Sequence, residues 1–121
     1  MARLTQYEGV PVVVLSPHPC ESPEQEELTR RLIVQTGRSR RFIVDLSEVI
    51  SFNARLLGTL ASAWTRLEAQ YGEVALCVPD SVYRELFKVT HLDRLFLLHG
   101  TLADAARELL PEPEPMMVKA S

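Results

Sequence analysis

The sequence predicts an α/β fold in which four helices flank a mixed, mostly parallel sheet of five strands, in the order ββαβαβαβα. Short apolar runs typical of strands alternate with longer segments whose apolar residues recur about every 3.6 positions. Glycine, proline and helix-capping residues separate these segments. Strands that alternate with helices form right-handed crossovers between parallel strands, so the pattern predicts a sheet covered by helices.

The chain is predicted to begin with a β-hairpin. Residues 3–7 and 10–16 have the composition of strands, and Glu8 and Gly9 between them suit a tight turn. The next strand is predicted at residues 41–46, and its continuous apolar centre indicates that both of its faces are buried.

The first helix carries a full set of start signals. Ser22 is predicted as its N-cap and Pro23 as its first residue, while Gln25, three residues after the cap, completes a capping box. Gly37 is predicted to end this helix. Its buried stripe is predicted to consist of Leu28, Leu32 and Ile33.

The second helix is predicted to run from about Ala54 to Gln70 and to end at Gly72. Apolar residues repeat along it at helical spacing, so one side is expected to face the core. The residues on that side are Leu56, Leu57, Leu60, Ala61, Trp64 and Leu67.

Two more strands, at residues 73–78 and 94–99, alternate with two more helices. Asp80 or Ser81 is predicted to open the third helix, and Thr101 to cap the last one with an acidic residue three positions on. The inward residues are predicted to be Val82, Leu86 and Phe87 in the third helix, and Leu102, Ala105, Leu109 and Leu110 in the last.

Composition indicates a single domain without a membrane segment or a nucleic-acid surface. The chain has 121 residues and a net charge of −3, so no excess of basic residues points to nucleic acid. A stretch of about 18 apolar residues and a signal-peptide core are both missing, so neither membrane insertion nor export is predicted, and the cytoplasm is the expected location. Residues 1–110 are expected to form the domain and residues 111–121, rich in proline and glutamate, a flexible tail.

Residues that commonly carry catalysis or metal binding do not group in this sequence. It has no glycine-rich phosphate loop and no G-x-S-x-G motif, so no enzyme is predicted and no catalytic residue is assigned. His18 and Cys20 lack a second pair of ligands at metal-site spacing, so neither a metal nor another cofactor is predicted. Asp45, at the end of a strand, is expected to orient the following loop rather than to act as an acid or base.

Two motifs at the centre of the chain carry a resemblance to a known family. They are Asp45-Leu46-Ser47-Glu48-Val49 and Asn53-Ala54-Arg55-Leu56-Leu57-Gly58-Thr59-Leu60. They align without gaps to D-L-S-x-V and D-S-S-G-L-G-x-L of the STAS domain, the fold of bacterial anti-sigma-factor antagonists, and the order of elements agrees from about residue 3 to residue 110. The resemblance implies the STAS fold and a protein-interaction function, which relatives switch when a partner kinase phosphorylates a serine at the start of the second helix.

The same alignment shows where the chain departs from that family. Asn53 and Ala54 stand where phosphorylatable relatives carry an aspartate and the acceptor serine, so the resemblance implies that no phosphate is added at this position. Arg55 replaces the next serine and Leu56 the following glycine, and a second acidic residue of the family is missing near Cys20. A helix N-terminus stabilises a phosphate through its free N–H groups and its dipole, so the alanine removes a charge switch.

The predicted partner-binding surface lies at the start and on the exposed face of the second helix. Asn53 is expected to cap that helix. Arg55 in the first turn opposes the helix dipole by about 0.3 to 1 kcal/mol, which suggests either a solvated side chain or an acidic group or phosphate of a partner. Gly58 suggests close approach of either the sheet or a partner backbone. The surface is predicted to consist of Asn53, Ala54, Arg55, Gly58 and Thr59.

Nearby hydroxyl groups leave an alternative site of phosphorylation open. Ser47 and Ser51 are expected in a loop or strand, and Thr59 is expected to bond its hydroxyl to its own helical turn.

Three functional hypotheses follow. The first is a non-catalytic signalling domain that binds an anti-sigma factor or serine-kinase partner without a phosphorylation switch at Ala54. The second is a STAS accessory subunit of an ABC transporter of the phospholipid-transport type, which would dock on the ATPase. The third is a small module that binds an anion or nucleotide at the helix N-terminus. A homodimer also stays open.

Overall fold

The computed structural model describes residues 2–36, 41–68 and 73–109, without the side chains of residues 67 and 68. Some predictions concern residues outside the described parts, namely Gly37, Leu67, Gln70, Gly72, Leu110 and the tail at residues 111–121. The elements are β1 (Arg3–Tyr7), β2 (Val10–Val14), α1 (Pro23–Thr36), β3 (Arg41–Asp45), α2 (Ala54–Glu68), β4 (Glu73–Cys77), α3 (Ser81–Val89), a 3₁₀ turn (Leu92–Arg94), β5 (Leu97–His99) and α4 (Leu102–Leu109).

The strands form one sheet in the order β1-β2-β3-β4-β5. β1 is antiparallel to β2, and each of the other pairs is parallel. The predicted fold class and the order ββαβαβαβα are therefore confirmed. Because β2 to β5 run in one direction, the segments that lead into the four helices leave the sheet at its carboxyl edge.

The predicted hairpin closes on two residues with positive φ. Glu8 has φ 50° and Gly9 has φ 83°, as in the type I′ turn that matches the twist of the flanking strands. Tyr7 pairs with Val10 on either side of the turn. β2 ends at Val14, two residues earlier than predicted.

Both faces of the sheet are covered. One face packs against α1, α2 and α3 and buries large side chains, whereas the other packs against α4 and buries mostly valine and alanine. Adjacent residues of β3 alternate between the two clusters, Val44 in the first and Ile43 in the second. The prediction that both faces of β3 are buried is thus confirmed.

The helix starts follow the predicted capping chemistry. Ser22 Oγ accepts from the N–H of Gln25 at 3.2 Å. Gln25 Oε1 reaches back to the N–H of Glu21 at 2.8 Å, one residue before the cap. Thr101 Oγ1 caps α4 by accepting from the N–H of Asp104 at 3.1 Å.

Three predictions of inward-facing residues are wrong. Leu28 is 56% exposed, because α1 turns the adjacent residues Thr29 and Ile33 to the core instead. Val82 is 68% exposed and Leu86 is also exposed, because α3 turns the adjacent stripe of Tyr83 and Phe87 towards the core. Ile33, Leu56, Leu60, Phe87, Ala105 and Leu109 are buried as predicted.

The last strand is shorter than residues 94–99. His91 adopts a left-handed conformation with φ 63° and leads into the 3₁₀ turn, in which the N–H of Leu95 donates to the carbonyl of Leu92. Only Leu97–His99 pairs with β4. Among the described residues, no helix is long and apolar enough to cross a membrane.

Candidate functional site

The start of α2 lies at the carboxyl edge of the sheet, after the loop of residues 46–53. Ala54 is the first residue of α2 and is exposed, as predicted. Asn53 Oδ1 accepts from the N–H of Leu56 at 2.9 Å, which confirms Asn53 as the cap. We call residues 50–55 the α2 tip.

A buried carboxylate fixes the start of this loop. Asp45 Oδ1 accepts from the N–H of Ser47 at 2.9 Å, so its predicted role in orienting the loop is confirmed. The thiol of Cys77 lies next to Asp45 in the neighbouring strand. Burial, together with the charge of Asp45, raises the pKa of Cys77 to about 12, so this thiol stays protonated at neutral pH.

The middle of the loop is bonded to the segment that follows β2. The N–H groups of Ile50 and Ser51 both donate to the carbonyl of Pro17, at 2.8 and 3.1 Å. Ser51 Oγ also forms a short hydrogen bond with His18 Nδ1. These bonds fix the first residues of the α2 tip to the segment that follows β2.

An ion pair ties the same loop to β1. Arg3 and Glu48 form two hydrogen bonds, of 2.8 and 3.3 Å, between guanidinium and carboxylate. The hydrogen bond and charge of each partner raise the pKa of Arg3 and lower the pKa of Glu48. Both side chains are well exposed, so the pair is screened by solvent.

Aromatic contacts join the α2 tip to α3. The ring of Phe52 stacks on Tyr83 with centroids 4.1 Å apart and planes within 8°. It also meets the edge of Phe87, with centroids 6.3 Å apart. The segment before α2 therefore rests on the first two turns of α3.

Arg55 finds its acidic group within the chain. Its Nη1 lies 3.2 Å from Glu26 Oε2 of α1, in a partly exposed ion pair. Arg55 therefore has an acidic partner within the chain, while its side chain stays 55% exposed to solvent. Glu26 offsets the unfavourable position of Arg55 in the first turn of α2.

Two other predicted site residues differ from expectation. Gly58 is exposed, and a Cβ built on it would have nothing within 4 Å, so close packing on the sheet is not the reason for this glycine. Thr59 is only 3% exposed, and its hydroxyl accepts from Cys20 Sγ at 3.6 Å rather than facing a partner. Burial raises the pKa of that Cys20 thiol. The accessible surface therefore consists of Asn53, Ala54, Arg55 and Gly58.

The structure adds one residue that the sequence did not single out. Ile50, the first residue of the α2 tip, is 65% exposed. The sequence alone did not distinguish Ile50 from its apolar neighbour Val49, which is buried. Among the described residues, no group of His, Cys, Asp or Glu side chains could hold a metal ion.

Comparison with known proteins agrees with this geometry. No curated protein matches the chain. The fold is similar to that of an anti-sigma-factor antagonist (STAS) domain protein from Planctomyces limnophilus, which is 22% identical, with a TM-score of 0.71 over 89% of this chain and 97% of that one. It is also similar to an anti-sigma factor antagonist from Mycobacterium paratuberculosis, at 24% identity and a TM-score of 0.69 over 90% and 92% of the two chains.

A third similar structure is the Bacillus cell fate determinant SpoIIAA in its phosphorylated form. It is 17% identical, and the TM-score is 0.65 over 91% of this chain and 100% of that one. At these identities the solved structures support the fold. The STAS domain family model matches residues 3–105, which is most of the chain, and the chain therefore belongs to the STAS domain family.

Proposed function

We propose that this chain is a non-catalytic regulatory domain of the anti-sigma-factor antagonist type, acting in the cytoplasm. It binds an anti-sigma factor of the serine-kinase class through the α2 tip, and phosphorylation at residue 54 does not switch it. The observation that carries the proposal is the exposed methyl group of Ala54 in the first turn of α2. SpoIIAA, which has the same fold, exists in a phosphorylated form.

The α2 tip supports docking because it is firmly held and uncharged at its centre. Asn53 and Ala54 carry no charge, and Arg55 is paired with Glu26. Ile50 adds exposed apolar surface beside them. Because no phosphate changes the charge of this surface, binding of the partner depends on the concentrations of the two proteins.

A matched pair of substitutions tests the site. Ala54→Asp places a carboxylate at the α2 tip, where the helix dipole favours it, so the fold keeps its stability. The carboxylate has no partner in a docked interface, and binding should weaken at least about tenfold. Ala103→Asp is the control, since Ala103 is an exposed alanine in the first turn of α4, on the opposite face of the sheet.

The partner is first captured from lysate of the source cell with the tagged chain and identified by mass spectrometry. Isothermal titration calorimetry with the purified partner then compares the two variants. We expect an anti-sigma factor, weaker binding of Ala54→Asp and unchanged binding of Ala103→Asp. Equal binding of both variants would move the interface away from the α2 tip.

The absence of a switch has its own test. The chain is incubated with the captured kinase and ATP, and its intact mass is measured. We expect no added phosphate. A phosphorylated product, mapped to Ser47 or Ser51, would overturn this part of the proposal while leaving the docking surface in place.

One observation favours a second candidate, the accessory subunit of an ABC transporter ATPase. Gly58 leaves the exposed face of α2 open, so that the backbone of another protein can approach it closely. Capture of an ATPase instead of an anti-sigma factor, with binding lost in Gly58→Leu, would favour this candidate. The anion-binding hypothesis gains no such support, because Asn53 already occupies the N–H of Leu56.

A further inference from the structure

β1 is an edge strand whose outer side is unpaired. It pairs with β2 on one side, and within residues 2–36, 41–68 and 73–109 no strand pairs with the other side. The strand is Arg-Leu-Thr-Gln-Tyr, and every residue except Tyr7 is exposed. Edge strands are usually protected by lysine, proline, an inward-pointing charge or a bulge. β1 has none of these, and its one charged side chain, Arg3, is bonded to Glu48.

The hairpin turn determines which backbone groups of β1 point outwards. In a two-residue turn the flanking pair, Tyr7 and Val10, exchanges hydrogen bonds, and bonded and non-bonded pairs alternate from there. The pair of Gln6 with Pro11 is then non-bonded, which suits a proline without an N–H. It follows that the N–H and C=O groups of Leu4 and Gln6 point away from the sheet.

The outward N–H and C=O groups of one β1 strand can pair with those of an identical β1 strand. We propose that β1 pairs with β1 of a second copy of this chain, antiparallel and centred on Thr5, to form a continuous ten-stranded sheet. In this register Leu4 lies opposite Gln6 of the second copy, and the two exchange hydrogen bonds in both directions. The two-fold axis repeats the exchange, which gives four backbone hydrogen bonds, as expected for an isologous contact.

The side chains agree with this register. Arg3 lies opposite the ring of Tyr7 of the second copy, so that no like charges face each other and a cation–π contact forms on each side of the axis. On the other face, Leu4 is 59% exposed in the single chain and would be covered. It borders a groove between β1 and α1 whose lining includes Gln6, Leu32 and Gln35.

The proposal is independent of the α2 tip. α1 packs beside β2, and α2 packs beside α1 and β4, so the α2 tip stays free in the dimer. The paired edges form a small interface, below the roughly 1,600 Å² of a standard one, so we expect a dimer that dissociates on dilution.

Sedimentation velocity of the full chain from about 5 to 500 μM tests the dimer, since weak interfaces assemble in this range. We expect a shift from monomer to dimer. Gln6→Pro removes an outward N–H without breaking the ladder to β2 and should stay monomeric with an unchanged circular dichroism spectrum. Gln6→Thr keeps the N–H and should dimerise like the parent chain.

A cysteine at the symmetry axis tests the register. The two residues at position 5 form a non-bonded pair whose Cβ atoms come within disulfide reach, so Thr5→Cys should cross-link at least about tenfold faster than Ala103→Cys under mild oxidation. The native cysteines, Cys20 and Cys77, are buried and do not compete. A parent chain that remains monomeric throughout, or equal cross-linking rates of the two variants, would overturn the proposal. Ala54→Asp, which tests the other surface, should dimerise normally.

Discussion

The start of α3, residues 78–83, which we call the α3 tip, lies beside the α2 tip, and each helix is capped by a side-chain oxygen of different chemistry. Asn53 Oδ1 accepts from the N–H of Leu56 at 2.9 Å, and Asp80 Oδ1 accepts from the N–H of Val82 at 2.8 Å. The first is neutral and precedes Ala54, whereas the second is anionic and precedes a serine. A helix needs only an acceptor oxygen at its start, so positions 53 and 54 can lack both acid and hydroxyl while α2 is still well formed.

The two tips also differ in what anchors them. The loop before α2 is bonded to one side chain of β1, Arg3, and to the backbone and a side chain of the segment after β2, at Pro17 and His18. The start of α3 is held by Arg84, whose Nη1 donates to the carbonyls of Val78 and Pro79 at 2.7 and 2.8 Å. The contact that joins the tips is the stack of Phe52 on Tyr83.

Removal of that stack should have the largest effect. Phe52→Ala removes a partly buried ring that contacts Tyr83 and Phe87, and we expect unfolding free energy to fall by about 2 to 3 kcal/mol in urea denaturation. Tyr83→Phe keeps the ring and should stay within about 0.5 kcal/mol of the parent. A loss below about 1 kcal/mol for Phe52→Ala would show that the tips are energetically independent.

Local chemistry made much of this comparison predictable from sequence. Asn53, Asp80 and Thr101 cap their helices through bonds to residues two or three positions on, which a sequence displays directly. The hairpin turn is equally local, because Glu8 and Gly9 close it by themselves. These elements, in their order, are enough to place Ala54 at the exposed start of α2.

What the sequence did not show has a different cause, since it depends on how distant elements pack. The pair of Arg55 with Glu26 requires α1 to lie beside α2, and the sequence gives no measure of that distance. Gly58 and Thr59 lie about 100° apart around one helix, and their exposure depends on which side the core covers. Val82 belongs to one of two adjacent apolar stripes, and spacing alone does not decide between them.

Removal of each cap should have the next largest effect. Asn53→Ala should lower the unfolding free energy by about 1 kcal/mol through loss of the cap. Asp80→Ala should cost about 1.5 kcal/mol, because it also removes a negative charge from the positive end of a helix. Thermal and urea unfolding measure both values. A larger loss at Asn53 than at Asp80 would contradict the role assigned to charge.

An exchange of the two caps isolates the charge from the hydrogen bond. Asn53→Asp should raise the unfolding free energy by about 0.3 to 1 kcal/mol, and Asp80→Asn should lower it by a similar amount. Both effects should shrink as salt is added, because the helix dipole acts through screened electrostatics. If Asn53→Asp also weakens partner binding, the neutral state of the α2 tip is important for docking as well as for stability.

The smallest expected effect is a dependence on acid that comes from the pair of Arg3 with Glu48, which holds the loop before α2. The hydrogen bond from Arg3, with its charge, lowers the pKa of Glu48 in the folded chain. The pair therefore stabilises the fold above the ordinary pKa of a glutamate, and this contribution is lost as the pH falls from about 5 to 3. The stability difference between the parent chain and Glu48→Gln, measured by urea unfolding, should shrink over that range.

A difference that stays constant with pH would mean that Glu48 acts through packing rather than charge. The α3 tip provides the internal reference in the Asp80→Asn variant, where the cap is an amide and Arg84 bonds backbone carbonyls, so that neither contact titrates. In that variant, amide protection factors, which correct for the slower intrinsic exchange in acid, should fall at pH 3 in the loop of residues 46–52 while the first turn of α3 keeps its protection. Equal loosening of both would show that acid acts on the sheet beneath them, and that the two tips do not differ in their anchoring.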